Sequence, residues 1–280
     1  MKKILCLISF LTLCGCSGGS FLDDFLILSS SSMAQIDNYF DLNQKQEHEL
    51  RRNMNEDLNH LRRERFDKMA KTLRQIEQQT KTPESNKLMS SAYVDLQSEY
   101  WQSHKYFKPS THKFISSLSP SQLSSFEKKV RKEISESREA LAKHPDSLNQ
   151  DLISSYQDGL EFWIGDLSPA QKELLTRFTK EHPFPWQEKI KNSETLLDQF
   201  TSMQGDSAKM KSFSEKFVAE NKSLRIPEYT QALASYDKEF QTFLDMIWTT
   251  LDQKQRSHLR ENLLGRASKL EELARRENNL

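Results

Sequence analysis

NQKQEHELRRNMNEDLNHLRRERFDKMAKTLRQIEQQT, residues 43–80, sets the fold class. Its apolar side chains stand at Leu50, Met54, Leu58, Leu61, Met69, Leu73 and Ile76, at steps near three and four. That spacing puts them on one face of a helix. A single long helix over 43–80 is therefore expected, with Pro83 just beyond its end.

The same reading extends toward the C-terminus. A helix over about 84–106 carries Leu88, Ala92, Leu96 and Tyr100 at steps of four, and Pro109 is expected to stop it. A short helix then ends at Leu118, and 120–143 follows with Phe126, Val130, Ile134 and Leu141, closed by Pro145. Further helices are expected over Leu148 to Ile164 and 169–181. His182-Pro183-Phe184-Pro185-Trp186 reads as a rigid corner. Helices near 186–203 and 207–223 are separated by Gly205, Pro227 opens another, and the last runs over 253–276. No long period-two alternation interrupts this pattern. The expectation is an all-α protein, a multi-helix antiparallel bundle or curved helical array.

Composition agrees. The chain has 280 residues, enough for one large domain or two small ones. Sixteen Phe, seven Tyr and four Trp supply the core aromatics that disordered chains lack. There are 40 basic and 40 acidic residues, and losing residues 1–15 would remove only Lys2 and Lys3 from that balance. A near-neutral chain offers no basic face for nucleic acid.

The first fifteen residues differ from the rest. Lys2 and Lys3 precede an apolar run from Ile4 to Leu13, and Gly15 precedes Cys16. This is the pattern of a secretory signal, too short to span a bilayer as a helix. Leu13-Cys14-Gly15-Cys16 resembles the bacterial lipobox. The resemblance implies cleavage between Gly15 and Cys16, a diacylglyceryl group on the Cys16 thiol and acylation of the new amine. Several acyl chains hold far more firmly than one, at roughly 0.8 kcal/mol per buried methylene. Ser17, in place of Asp, implies the outer membrane facing the periplasm. Expected domains are a signal peptide over 1–15, a lipidated tether over 16–35 and a helical body over 36–280. Within the tether, Ser17-Gly18-Gly19-Ser20 is flexible, Phe21 to Leu28 is apolar and lies on the membrane or on the body, and Ser29 to Ser32 is a break. All three cysteines lie at or before residue 16, so the body holds no disulfide or thiolate metal site.

One signature recurs four times: Leu42-Asn43-x-x-Gln46, Leu118-Ser119-x-x-Gln122, Leu167-Ser168-x-x-Gln171 and Leu251-Asp252-x-x-Gln255. Eight residues after each leucine stands an apolar residue: Leu50, Phe126, Leu175 and Leu259. Asn, Ser and Asp accept from free N–H groups of a new helix, and Gln three residues on reaches back to the cap. Each copy is thus a capping box, worth on the order of 1 kcal/mol. The steps from first to second copy and from third to fourth are similar, which suggests duplicated halves over 36–145 and 160–280.

The quartet resembles the Leu-Thr-x-x-Gln motif of periplasmic all-helical chaperones and stress adaptors, which implies binding of unfolded clients. A wider resemblance rests on the lipobox, Phe21-Leu22-Asp23-Asp24-Phe25, Tyr39-Phe40-Asp41-Leu42 with Gln46, Leu61-Arg62-Arg63-Glu64 and Ile247-Trp248 through Leu259. These segments resemble a family of uncharacterised helical lipoproteins of Gram-negative bacteria. The resemblance implies architecture and address, without an activity.

Chemistry leaves little trace. Seven scattered histidines form no zinc motif, and there is no nucleophile elbow or phosphate loop. Glu56, His60 and Glu64 share a helix face, which reads as a cation stripe or a solvated face. Arg62, Arg63 and Arg65 read as headgroup contacts or a solvated face. The expectation is a non-catalytic binding, scaffold or chaperone-like module that meets envelope proteins or unfolded clients. It needs no metal and no cofactor besides lipid on Cys16. An envelope hydrolase or lipid-handling enzyme, and a purely structural tether, are the alternatives.

Overall fold

The computed structural model describes residues 30–81 and 87–276, and what it describes is helical throughout. The expected signal peptide, Gly15, Cys16 and most of the tether lie outside the described residues. Helix α1 is Ser30–Phe40, α2 Gln44–Gln79 and α3 Leu88–His104. A 3-10 turn over Lys105–Phe107 leads into α4, Lys108–Ser117. Then come α5 Pro120–Lys143, α6 Pro145–Ile164, α7 Pro169–Glu181, α8 Trp186–Ser202 and α9 Ser207–Glu220. A second 3-10 turn, Asn221–Leu224, precedes α10 Pro227–Thr250 and α11 Gln253–Arg275.

One expectation needs correction. Ser30 to Ser32 are helical and not a break. Serine costs a helix only a few tenths of a kcal/mol, about the scale that packing of Tyr39 and Phe40 on α5 readily offsets. The helix expected to stop before Pro109 does end, at His104, and Pro109 sits in the first turn of α4, where its missing N–H would have had no partner anyway.

The 36-residue α2 lies along α11 over most of its length. Leu61, Phe66, Met69, Ala70, Leu73 and Ile76 bury their faces there against Leu263, Ala267, Leu270 and Leu273. Arg74 closes the seam with two bonds to Glu271, at 2.7 and 2.9 Å. Phe178, Phe240 and Phe243 from α7 and α10 complete the main core. Smaller clusters join α5, α8 and α9 around Leu123, Phe200, Met210 and Phe213, and α5 and α8 around Ile134, Ile190 and Leu197. The sequence halves therefore do not pack apart: a helix of the first is clasped by the last helix of the second.

Asp57 anchors α4 on α2. Its buried carboxylate accepts the Ser110 N–H at 2.9 Å, one of the free donors in the first turn of α4. Burial pushes this carboxyl up from the usual range, and the Ser110 bonds and Lys113 pull it back only in part. A folded value above the unfolded one makes the protonated form the favourable one. Its contribution is complete below the unfolded value and is lost as pH rises through the folded value. Asp57→Asn keeps an acceptor for Ser110. It is expected to flatten the stability change that sets in above the usual carboxylate range, read by urea unfolding at stepped pH. An unchanged slope would clear Asp57 as its source.

Candidate functional site

All four recurring segments form the capping boxes their spacing predicts. Asn43, Ser119, Ser168 and Asp252 each accept from the backbone N–H of the glutamine three residues on. Each glutamine side chain in turn accepts the cap's own N–H.

The sequence did not announce where the other end of each glutamine goes. Gln46 Nε2 donates to Gln122 Oε1 at 3.0 Å, and Gln122 Nε2 returns a bond to Gln46 Oε1 at 2.8 Å. Gln171 and Gln255 do the same at 3.0 and 2.9 Å. Each amide also donates to a backbone carbonyl two residues before the partner's cap: Gln46 to Ser117, Gln122 to Asp41, Gln171 to Thr250 and Gln255 to Asp166. Each amide thus gives two bonds and takes two, its full capacity. A carboxylate could not donate and asparagine is one methylene short, so glutamine alone fits. The cap needs only an acceptor, and Asn, Ser, Ser and Asp all serve.

The helices around each latch are exchanged in the same way. In the first, α1 lies on α5 and α4 on α2. In the second, α6 lies on α11 and α10 on α7. The leading corner of each pair is the longer, with a positive φ at Asp41 and at Gly165; the second is tight, with Leu118 and Leu251 extended. A Cβ on Gly165 would be strained at φ 79° and would also touch the His258 ring at 3.6 Å. Leu167 and Leu251 are buried in the main core, and Leu118 packs on the smaller one. Leu42 is half-buried. The second latch sits deeper: Gln171 is 1% exposed.

The other candidates do not assemble. His60 is exposed, Glu56 faces Lys113 at 3.5 Å, and Glu64 accepts from the Tyr106 hydroxyl at 2.7 Å. No three His, Cys, Asp or Glu side chains among the described residues gather as a cation site. Arg62 donates to the carbonyls of Leu273 and Arg276, and Arg65 pairs with Glu99, so two of the three arginines are engaged within the fold. No described helix is long and apolar enough to cross a membrane.

What sequence reading missed is a cleft of about 420 Å³ between α5, the start of α6 and α8. Val130, Ile134, Ala140, Leu148, Trp186 and Ile190 give it apolar walls. Lys189 lies at its floor, buried, with its ammonium 5.4 Å from the Phe184 ring and 5.1 Å from the Trp186 ring. Carboxylates of Glu133, Glu136, Glu139 and Asp151 stand around it with Lys143 and His144. Burial pushes the Glu133 carboxyl up, although the Tyr39 hydroxyl donates to it at 2.7 Å. Its volume falls within the range of about 300–1,000 Å³ found for small-molecule pockets. A smaller apolar groove lies between α3 and α6, lined by Tyr93, Leu96, Tyr100, Trp101 and Trp163.

These features define an all-α protein whose helix corners are tied in pairs by glutamine amides and which carries an apolar cleft between α5, α6 and α8. The chain belongs to a family of unknown function, DUF6279, whose model matches residues 38–230, more than half of its length. That span includes three of the four corners and the whole cleft. No curated protein and no solved structure matches the chain.

Proposed function

We propose that the chain is an exported lipoprotein of a two-membrane bacterium. It is cut before Cys16, acylated there, and held at the outer membrane facing the periplasm. Its body acts as a non-catalytic binding module, scaffold or chaperone-like, for envelope proteins or unfolded clients. The address rests on the lipobox. The binding role rests on one observation, the apolar cleft with charged residues around it between α5, α6 and α8. The glutamine corners are assigned to architecture instead, because their amides are already fully bonded within the chain. Their repeated geometry supports an origin by duplication of a corner pair.

The test uses the purified soluble body and the living envelope. The body is expected to slow aggregation of a reduced, unfolded client, and a photo-crosslinker at Glu136 on the cleft is expected to capture an envelope protein. If neither a client nor a partner is found, the binding role is abandoned and a structural tether takes its place.

A further inference from the structure

We infer that the apolar groove between α3 and α6 is a binding site for a small, neutral aromatic molecule of a single ring. The groove shares no lining residue with the cleft that carries the binding role, and the inference does not rest on that role.

Two helices share a floor here, each held by different neighbours. Helix α3 is tied to α2 and α10: the Ser90 N–H donates to Asp245 at 3.0 Å, the Tyr93 hydroxyl donates to Asp237 at 2.7 Å, and Glu99 pairs with Arg65. Helix α6 is tied to α10 and α11. The Tyr156 and Tyr236 hydroxyls meet at 2.8 Å, and Asn262 donates to the Phe162 carbonyl. Between the two helices lie Phe240 and Leu244 of α10 and Leu259 and Leu263 of α11. Ala92 lines one wall and Gly159 the other. Glycine weakens a helix interior, and at 159 it leaves the wall without a side chain.

The lining decides the charge of the ligand. Among the described residues, no Asp, Glu, Lys, Arg or His lines the groove. Its polar side chains are already bonded within the chain. The Tyr93 hydroxyl donates to Asp237 and accepts from Gln97, Ser155 donates to the Asp151 carbonyl, Thr80 donates to the Glu77 carbonyl, and Tyr156 pairs with Tyr236. Burial pushes the Tyr156 and Tyr236 hydroxyls up, so both stay uncharged. A charged ligand would give up its water there and find no opposite charge. A peptide segment would bring in backbone N–H and C=O groups that these walls do not satisfy.

Size and shape narrow the class further. The groove measures about 150 Å³, below the range of about 300–1,000 Å³ for drug-sized ligands and close to that of an apolar cavity that takes up benzene. Its walls are rich in rings. Tyr93 meets Phe240 edge-on at 5.5 Å, and Tyr156 lies tilted on Phe240 at 4.9 Å. Half-buried Tyr100 and Trp101 stand edge to face, 5.3 Å apart, with Trp163 on the α6 side. A planar ring added to such a cluster gains edge-to-face and offset packing beyond simple burial.

The test titrates the full chain, labelled at tryptophan, with toluene and follows it by NMR. Toluene is expected to bind with a dissociation constant of about 1 mM or tighter. Nuclear Overhauser contacts from its protons are expected on the indoles of Trp101 and Trp163, and not on Trp186, which lines the larger cleft. Gly159→Leu puts an apolar side chain on the wall and suits a helix better. It should weaken toluene binding about tenfold or more, with the melting temperature held or raised. Benzoate, the charged counterpart, and N-acetyl-phenylalanine amide, the peptide counterpart, should each bind about tenfold more weakly than toluene. No binding up to the solubility of toluene, contacts confined to Trp186, binding unchanged by Gly159→Leu, or benzoate equal to toluene would overturn the inference. Equal binding of the capped phenylalanine would overturn it too, and would hand the groove to a polypeptide side chain. The Overhauser contacts are read on the unaltered chain, so they decide the site even where Gly159→Leu does not fold.

Discussion

Gln171→Ala is expected to lower the unfolding free energy by about 3 kcal/mol and the melting temperature by roughly 10 °C. The side chain is 1% exposed and every polar valence is used. Its Oε1 accepts from Ser168 N–H at 2.8 Å and from Gln255 Nε2 at 2.9 Å. Its Nε2 donates to Gln255 Oε1 and to the Thr250 hydroxyl and carbonyl. Alanine removes half of a capping box, on the order of 1 kcal/mol. It also leaves the buried Gln255 amide short of one donor and one acceptor, and an unsatisfied buried group costs about 1–3 kcal/mol. Thermal unfolding followed by circular dichroism reads the loss. The reciprocal pair also predicts non-additivity: Gln171→Ala with Gln255→Ala should cost less than the two single changes together. Strict additivity would show that the two amides act separately. At the shallower latch, Gln122 is half-buried and water can replace its lost partners, so Gln122→Ala should cost nearer 1 kcal/mol.

Cys16→Ala is expected to move the protein entirely from the membrane to the soluble fraction. A diacylglyceryl thioether and an acylated amine together bury dozens of methylenes, at roughly 0.8 kcal/mol each. Their loss shifts the partition by many orders of magnitude, beyond what any one change in the body could do. The melting temperature of the body should stay where it was, because residue 16 precedes the described helices. Fractionation together with labelled fatty acid checks both points. A variant still lipidated and sedimenting with membranes would end the proposed address.

Much of this could be read from the chain beforehand, and the reasons differ from place to place. The ends of α2, α5, α7, α10 and α11 follow from the four caps and from Pro120, Pro145, Pro169 and Pro227, because capping is a local hydrogen-bond requirement. Pairing of the caps is not local. Nothing in Leu167-Ser168-x-x-Gln171 says that its second amide hydrogen ends on residue 255, since that depends on how four helices cross. The only trace was the similar spacing, 76 and 84 residues, which separates the glutamines that meet. Ser30 to Ser32 looked like a break because serine prefers caps and turns; contact of α1 with α5 decides otherwise. The cleft had no sequence signal. It depends on how α5, α6 and α8 cross, which no local pattern records.

The clasp of α2 by α11 bears on how the molecule is made. The face carrying Leu61, Phe66 and Leu73 finds its cover in Leu263, Leu270 and Leu273, roughly two hundred positions later. A nascent chain emerging from its N-terminus therefore carries an unshielded greasy ridge on α2 until α11 is delivered. Such a polypeptide closes this seam only once α11 has been made. Truncation of the last two dozen residues should strand it in that open, sticky state.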